Sequence, residues 1–136
     1  MNLFDIPDEK LPGELAELLA QGESIRIERI VSDGQVGGWC DQEESEFVAL
    51  LTGTAQLEFE DGRTAELAAG DTLLIRPHEK HRVSFTSTEP KCVWLCVFFK
   101  DVHTGDRRAS TLGALCGIIP ADMDLEAAKD ERLRRQ

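Results

Sequence analysis

The chain has 136 residues and a formal charge of −11, and 19 of its 26 acidic side chains lie in residues 1–100. That length suits one domain with its own hydrophobic core. An acidic surface repels phosphate backbones and anionic lipids, so the composition argues against nucleic-acid binding and against a membrane-surface role.

The N-terminal residues and the hydrophobic pattern predict a cytoplasmic protein. Asp5, Asp8 and Glu9 stand where a secretory signal would need basic residues. No run approaches the roughly 18 apolar residues of a membrane span. The cysteines lack the Cys-x-x-Cys spacing of a structural zinc site, so we expect free thiols in a reducing compartment. They are Cys40, Cys92, Cys96 and Cys116.

The first predicted element is a short amphipathic helix over residues 11–20. Its leucines recur at helical spacing, Pro12 is tolerated in a first helical turn, and Gly22 can end the helix. These leucines are Leu11, Leu15, Leu18 and Leu19. We expect this helix to pack on the outside of the domain that follows.

Residues 25–100 alternate apolar and polar side chains, with breaks, which predicts an all-β body. The clearest hairpin covers residues 54–67, where alternating apolar residues precede the turn dipeptide Asp61-Gly62. Further short strands are predicted at residues 72–75, 82–86 and 92–99. Many short strands with regular turn signals indicate a sandwich or a barrel.

The strand predicted at residues 92–99 is apolar on both alternating faces, so it should be covered on two sides. Cys92 and Cys96 are interpreted as buried small hydrophobic residues, and about 13 Å of strand between them excludes a disulfide. We expect a homodimer in which a second subunit covers the outer face. The alternative is that the helix over residues 11–20 or the C-terminal segment covers that face within one chain.

Residues 101–136 follow a different pattern. A polar stretch precedes an apolar stretch at residues 112–119, and residues 122–135 predict a helix whose acidic start and basic end complement the helix dipole. Its apolar stripe is thin, so this helix would need a docking surface to be stable. The sequence therefore predicts a helical lead-in at residues 1–23, a β-barrel at residues 24–100 and a C-terminal loop and helix at residues 101–136.

Two motifs in the β-rich region carry a family resemblance. Glu46 is followed seven residues later by Gly53, and Gly70 is followed eleven residues later by His81. These motifs resemble those of the cupin superfamily, in which a His-x-His pair, a glutamate and a later histidine hold one divalent metal ion. The resemblance implies an all-β cupin-type double-stranded β-helix, or jelly-roll, barrel with the metal site inside.

The resemblance places Glu46 and His81 at two of the four ligand positions, while the two histidine positions fall on Trp39 and Asp41. This Trp-x-Asp-Gln motif is similar to that of a subgroup of small single-domain cupins. We expect Asp41, Glu46 and His81 to hold the ion, with His78 able to swing in as a fourth ligand. Such a nitrogen and oxygen set suits zinc, iron(II), manganese or nickel and leaves coordination positions open.

Several alternatives remain open around this site. A register moved by one residue puts Cys40 and Gln42 at the histidine positions instead. Trp39 would share a face with Asp41 and form a flat apolar wall of the pocket, or it could be a plain core tryptophan. Asp41 could also belong to a charged loop, and no basic residue adjoins Cys40 to activate it as a nucleophile.

Two functions are compatible with such a pocket. The first is a metal-dependent enzyme acting on a small organic molecule, where carboxylate-rich ligation suits Lewis-acid isomerisation or decarboxylation better than oxygen activation. The second is a non-catalytic barrel that binds a small-molecule ligand or a partner, with the helix at residues 122–135 facing that partner. The sequence leaves open whether the chain is an enzyme.

Overall fold

The computed structural model describes residues 1–100, which contain eight β-strands and no helix. The strands are β1 (Leu15–Gln21), β2 (Ile25–Ser32), β3 (Ser45–Thr52), β4 (Thr54–Phe59), β5 (Thr64–Ala68), β6 (Thr72–Ile75), β7 (His81–Thr86) and β8 (Cys92–Phe99). Sheet A has the strand order β1-β2-β8-β3-β6, and sheet B has the order β5-β4-β7. The all-β prediction is therefore confirmed for these residues. The helix predicted at residues 122–135 lies outside them.

Within this part of the chain, no helix has the length and apolar character that crossing a membrane would require.

Strand β1 replaces the helix that the sequence predicts over residues 11–20. It pairs antiparallel with β2 from Leu15↔Val31 to Gln21↔Arg26, with an irregularity between Leu18 and Ala20. An isolated ten-residue helix is marginal in water, whereas the edge of β2 offers hydrogen-bond partners to the backbone groups of this segment that face it. The leucine spacing therefore does not decide the conformation of this segment, and β1 alternates half-buried and exposed side chains over its first five residues.

The hydrophobic core lies between the two sheets. The predicted hairpin is confirmed as β4 and β5, and Gly62 makes its turn at a φ of 96°. The core side chains come from β3, β4, β5, β6 and β8; they are Val48, Leu50, Ala55, Leu57, Phe59, Leu67, Ile75, Cys92, Trp94, Cys96 and Phe98. Deep in this layer the indole Nε1 of Trp94 donates a hydrogen bond of 2.8 Å to Ser32 Oγ.

Strand β8 lies at the centre of sheet A, between β2 and β3. Its inward residues, including Cys92 and Cys96, are buried, and both cysteines are free thiols as predicted. Its outward residues Leu95, Val97 and Phe99 are only half-buried. Both faces of this strand are apolar, as predicted. Within residues 1–100 its inner face is buried, and its outer face is only partly covered.

The residues near the N-terminus are anchored to sheet A by hydrogen bonds from two basic side chains. The buried guanidinium of Arg29 donates hydrogen bonds to the carbonyls of Leu3 and Asp5 at 3.1 and 2.9 Å. The Lys91 ammonium donates to the carbonyls of Pro7, Asp8 and Glu9. These contacts hold residues 3–9 against Arg29 of β2 and against Lys91, which directly precedes β8.

Candidate functional site

Glu46 and His81 meet at one end of the barrel interior. Glu46 lies on β3 opposite Phe98 of β8 and Ile75 of β6, so its side chain shares the inner face with these core residues. His81 begins β7 and pairs with Phe59 of β4. The two side chains are 12% and 7% exposed, and His81 Nε2 lies 3.7 Å from Glu46 Oε1.

The imidazole of His81 is held in one orientation by the backbone. Its Nδ1 lies 2.8 Å from the carbonyl oxygen of Glu79, which can only accept, so Nδ1 carries the proton. In neutral imidazole this leaves the Nε2 lone pair facing Glu46 and the barrel interior. Backbone carbonyls that accept the proton of one ring nitrogen orient histidine ligands and catalytic histidines in this way.

The environment of His81 favours its protonated form. Burial alone would lower the pKa of the ring, but the Glu46 carboxylate and the Glu79 carbonyl outweigh burial and raise the pKa of His81 above its ordinary value. The site is therefore a buried carboxylate and imidazole that attract one another.

Gln42 and Cys40 complete the surroundings of this pair. Gln42 Nε2 donates a hydrogen bond of 3.0 Å to Glu46 Oε1. Cys40 forms an isolated bridge with His81, with backbone bonds of 2.7 and 3.1 Å, which puts both side chains on the same face. Of the two registers left open by the sequence, the structure thus brings Cys40 and Gln42 to the pair.

Asp41 and His78 form a separate pair on the surface. Their side chains are 52% and 64% exposed, and His78 Nδ1 lies 2.8 Å from Asp41 Oδ1. Trp39 is also exposed and stacks under the guanidinium of Arg82 at 4.8 Å. The structure does not bring these three residues to Glu46 and His81, so their roles as ligands and pocket wall stay predictions.

The interior next to the pair is acidic. Partial burial, followed by the charges of Glu28 and Glu46, raises the pKa of the Glu14 carboxyl. Burial and the same two carboxylates strongly raise the pKa of the Cys96 thiol. Partial desolvation and the Glu46 and Glu14 charges also raise the pKa of Cys40, which agrees with the prediction that this thiol is not activated. Negative potential of this kind attracts cations.

Arg26 of β2, which like Glu46 lies opposite Phe98, is already engaged. Arg26 donates hydrogen bonds to Glu28 at 2.8 Å and to Glu44 at 3.0 Å. Its guanidinium also lies 4.1 Å from the centre of the Phe98 ring. The positive charge of Arg26 is therefore shared between two carboxylates and an aromatic face, and does not neutralise Glu46.

Two surface grooves lie elsewhere. One is lined by residues of the N-terminal segment and the start of β8, including Phe4, Lys91 and Val93. The other lies on sheet B and includes Gln56, Glu66 and Phe85. Neither is lined by Glu46 or His81, and neither gathers residues with obvious chemistry.

A divalent metal ion would find two ligands of suitable chemistry at the Glu46–His81 pair. Tight sites use three or four protein ligands, and among residues 1–100 no group of three or more His, Cys, Asp or Glu side chains is placed to hold one ion. The described side chains therefore fit an open, two-ligand site whose other positions belong to water or a ligand. They do not form the four-ligand centre that the sequence resemblance implies.

Comparison with known proteins identifies the fold. Residues 27–98 match the family model described as Cupin domain. A protein from Ralstonia eutropha JMP134, proposed to be a mannose-6-phosphate isomerase, is 32% identical with a TM-score of 0.70, and the match covers 74% of this chain and 97% of that one. None of the curated protein sequences matches this chain significantly.

More distant structures share the fold alone. A cupin superfamily protein from Desulfitobacterium hafniense DCB-2 is 20% identical with a TM-score of 0.62, covering 71% of this chain and 84% of that one. KdgF from Halomonas sp. is 18% identical with a TM-score of 0.57, covering 69% and 86%.

The matched segment includes both Glu46 and His81, and spans the two sheets from β2 to β8. It makes up more than half of the sequence, and the two-sheet architecture agrees with it. The chain belongs to the cupin domain family.

Proposed function

We propose that the Glu46–His81 end of the barrel binds a divalent metal ion, and that the open positions of this ion take a small organic ligand. The observation that carries the proposal is the orientation of His81. Its Nδ1 is committed to the Glu79 carbonyl, so Nε2 faces the Glu46 carboxylate 3.7 Å away inside the barrel. An imidazole and a carboxylate held in this way are a suitable pair of ligands for zinc, manganese, iron or nickel.

The chain's own residues prepare this site for a cation. Gln42 holds one oxygen of Glu46, and the Glu79 carbonyl holds the ring of His81. The Glu14 and Glu28 carboxylates add negative potential within reach of Glu46. A bound ion would supply Lewis-acid polarisation of a ligand carbonyl, the chemistry that isomerisation or decarboxylation requires.

The carboxylates around the site also affect which ligands it can bind. The relative from Ralstonia eutropha is proposed to act on mannose 6-phosphate, a doubly charged anion. In the present chain the carboxylates of Glu14, Glu28 and Glu46 oppose an anion, and Arg26 is already paired. A neutral hydroxy-carbonyl compound suits this interior better than a phosphorylated sugar.

Calorimetric titration of the apo protein with Zn²⁺, Mn²⁺ and Ni²⁺ tests the proposal. Glu46→Gln and His81→Asn should each weaken binding at least tenfold, since each removes one of two ligands at a cost of about 1.4 kcal/mol or more. Asp41→Asn and His78→Asn are matched controls on the exposed pair and should bind as the wild type does. Equal losses in all four variants would instead support the four-ligand prediction, and unchanged binding in Glu46→Gln and His81→Asn would contradict the site.

A second candidate function is a metal-independent binding barrel. It is favoured by the position of Asp41 and His78, which bond to each other on the surface and so leave Glu46 and His81 as the two candidate ligands inside the barrel among residues 1–100. Thermal unfolding with D-mannose as the probe, in the presence of a chelator, separates the two functions. Stabilisation that persists in chelator and disappears in His81→Asn would favour the metal-independent barrel, whereas stabilisation that requires added metal would favour the first proposal.

A further inference from the structure

One exposed thiol lies beside the Glu46–His81 pair. Cys40 precedes β3 and is exposed to solvent, whereas His81 is buried. An isolated bridge joins the two residues through backbone hydrogen bonds of 2.7 and 3.1 Å, so their side chains lie on the same face. The Cys40 side chain therefore leaves the backbone on the side from which the His81 ring enters the barrel interior.

The charge of Glu46 also reaches this thiol. Partial desolvation, followed by the Glu46 charge, raises the pKa of Cys40, so the carboxylate lies within electrostatic range of the sulfur. Cys40 comes from the segment before β3, Glu46 from β3 and His81 from β7. Three separate segments thus bring a sulfur, an oxygen and a nitrogen donor to one region of the barrel.

The buried ring of His81 has a nitrogen that lacks a close partner. His81 is 5% exposed, and its Nδ1 is committed to the Glu79 carbonyl. Its Nε2 faces Glu46 Oε1 at 3.7 Å, which is too long for an ordinary hydrogen bond. Two metal–ligand bonds of about 2.0–2.2 Å together span more than that distance, so one ion can bond both atoms. Among the described residues, Nε2 is therefore a buried polar atom that a bound ion would satisfy.

We propose that Cys40 is a third ligand of the ion at the Glu46–His81 pair, and that its sulfur makes the site select Zn²⁺ and Cd²⁺ over Mn²⁺. This inference rests on the metal site proposed above. Thiolate ligands favour soft and borderline ions, whereas carboxylates and water suit Mn²⁺. A site of one sulfur, one nitrogen and one oxygen leaves a position open for water or a ligand.

The Cys40 side chain is free to turn towards the ion. In the described conformation its Sγ makes only a long contact, 3.7 Å, with the carbonyl oxygen of Gly38. Rotation about the Cα–Cβ bond moves the sulfur between staggered positions. When the ion binds, the thiol proton passes to solvent and the thiolate forms the metal–sulfur bond.

Solvent access distinguishes Cys40 from the other described thiols. Cys92 and Cys96 are 0% and 2% exposed and belong to the hydrophobic core. A hydrated ion that arrives from solvent reaches Cys40 without disturbing the packing of that core. Exposure of Cys40 also means that a substitution there can be made without unfolding the barrel.

Absorption spectroscopy of the reduced full chain with Co²⁺ tests the proposal, because a thiolate ligand gives a sulfur-to-cobalt charge-transfer band in the near ultraviolet. The wild type should show this band. Cys40→Ser should lose it and should bind Cd²⁺ about tenfold more weakly or worse, while its affinity for Mn²⁺ stays close to that of the wild type. Cys116→Ser is the matched control, because it removes a thiol outside the described residues, and it should keep the band.

Three results would overturn the role of Cys40 and leave the Glu46–His81 site standing. One is wild-type protein that binds Co²⁺ without the charge-transfer band, provided that His81→Asn abolishes the binding. Another is a band that survives in Cys40→Ser, which would assign the sulfur ligand to a different cysteine. The third is an equal loss of Cd²⁺ and Mn²⁺ affinity in Cys40→Ser, which would show that Cys40 does not select the ion. Wild-type protein that binds neither Co²⁺ nor Cd²⁺ would overturn the metal site itself, and this inference with it.

Discussion

The proposed metal site depends on the ion pair between His81 and Glu46. The pKa of His81 is raised, because the Glu46 carboxylate and the Glu79 carbonyl outweigh the effect of burial. A raised pKa in the folded state means that the pair stabilises the fold fully below the unfolded histidine pKa of about 6.5, and that this contribution is lost as the pH rises through the folded pKa.

Glu46→Gln in metal-free protein should therefore lower the free energy of unfolding more at about pH 6 than at about pH 9. Urea unfolding at the two pH values measures the difference. Glu44→Gln is the control, because its partner Arg26 stays charged at both values. A cost for Glu46→Gln that is the same at both pH values would show that His81 does not titrate against Glu46.

The turn between β3 and β4 leaves no room for a side chain at Gly53. It has a φ of +85°, and an added Cβ would lie 2.8 Å from both Cys92 Sγ and Ser87 Oγ. Gly53→Ala should cost about 2–4 kcal/mol from backbone strain and crowding together. Gly62→Ala is a matched control, since Gly62 has a φ of +96° with no atom within 4 Å, and should cost about 1–2 kcal/mol from strain alone. If chemical denaturation gave the same loss of unfolding free energy for Gly53→Ala and Gly62→Ala, the neighbours of Gly53 would have moved to make room for the added methyl group.

The motif spacing predicted which two distant residues lie close together inside the barrel. It brought Glu46 and His81 together, although they are 35 positions apart, because both lie at positions that the family pattern assigns to the barrel interior. The same spacing could not decide which residues of 39–42 face inward, since a one-residue shift reverses every side chain. The bridge between Cys40 and His81 decides it, and such a long-range contact leaves no local signal in the sequence.

At the scale of elements, β1 shows how tertiary pairing overrides local pattern. The segment has helical leucine spacing, yet it forms an edge strand whose Glu17 lies opposite Arg29 of β2. Arg29 is buried, and its Nε donates a hydrogen bond of 2.6 Å to Glu17 Oε1. The same guanidinium also holds the carbonyls of Leu3 and Asp5, so one side chain ties together β2, β1 and the N-terminal segment.

Arg29→Ala should destabilise the fold by about 3 kcal/mol, because it leaves the Glu17 carboxylate and two backbone carbonyls without their donor. It should also make residues 1–10 more sensitive to limited proteolysis. Arg63→Ala is the contrast: Arg63 also pairs with two carboxylates, but it lies on the surface where water replaces the lost bonds. If the two variants unfolded at the same urea concentration, Arg29 would not have this anchoring role.

The strands from β4 to β8 were predictable because each carries strong local signals. Alternating apolar residues, the Asp61-Gly62 turn and short intervals marked by glycine or proline define them, and the bounds of β6 and β8 agree with the prediction. β1 was not predictable in this way, because its strand conformation depends on the free edge of β2. Pairing between distant segments decides the conformation of such weakly patterned strands.

At the scale of the whole molecule, the barrel separates two kinds of surface. The interior end at Glu46 and His81 is acidic, while the outer face of sheet A carries the apolar neighbours Ile27, Val97, Phe47 and Leu74. The proposed metal site and this apolar outer face therefore consist of different residues. Substitutions on the outer face should leave metal binding unchanged.

The most direct test of the metal site is an anomalous difference map from crystals grown with Mn²⁺ or Zn²⁺. One peak is expected inside the barrel, within bonding distance of His81 Nε2 and a Glu46 oxygen, at about 2.0–2.2 Å. A peak between Asp41 and His78 on the surface, or none inside the barrel at saturating metal, would contradict it.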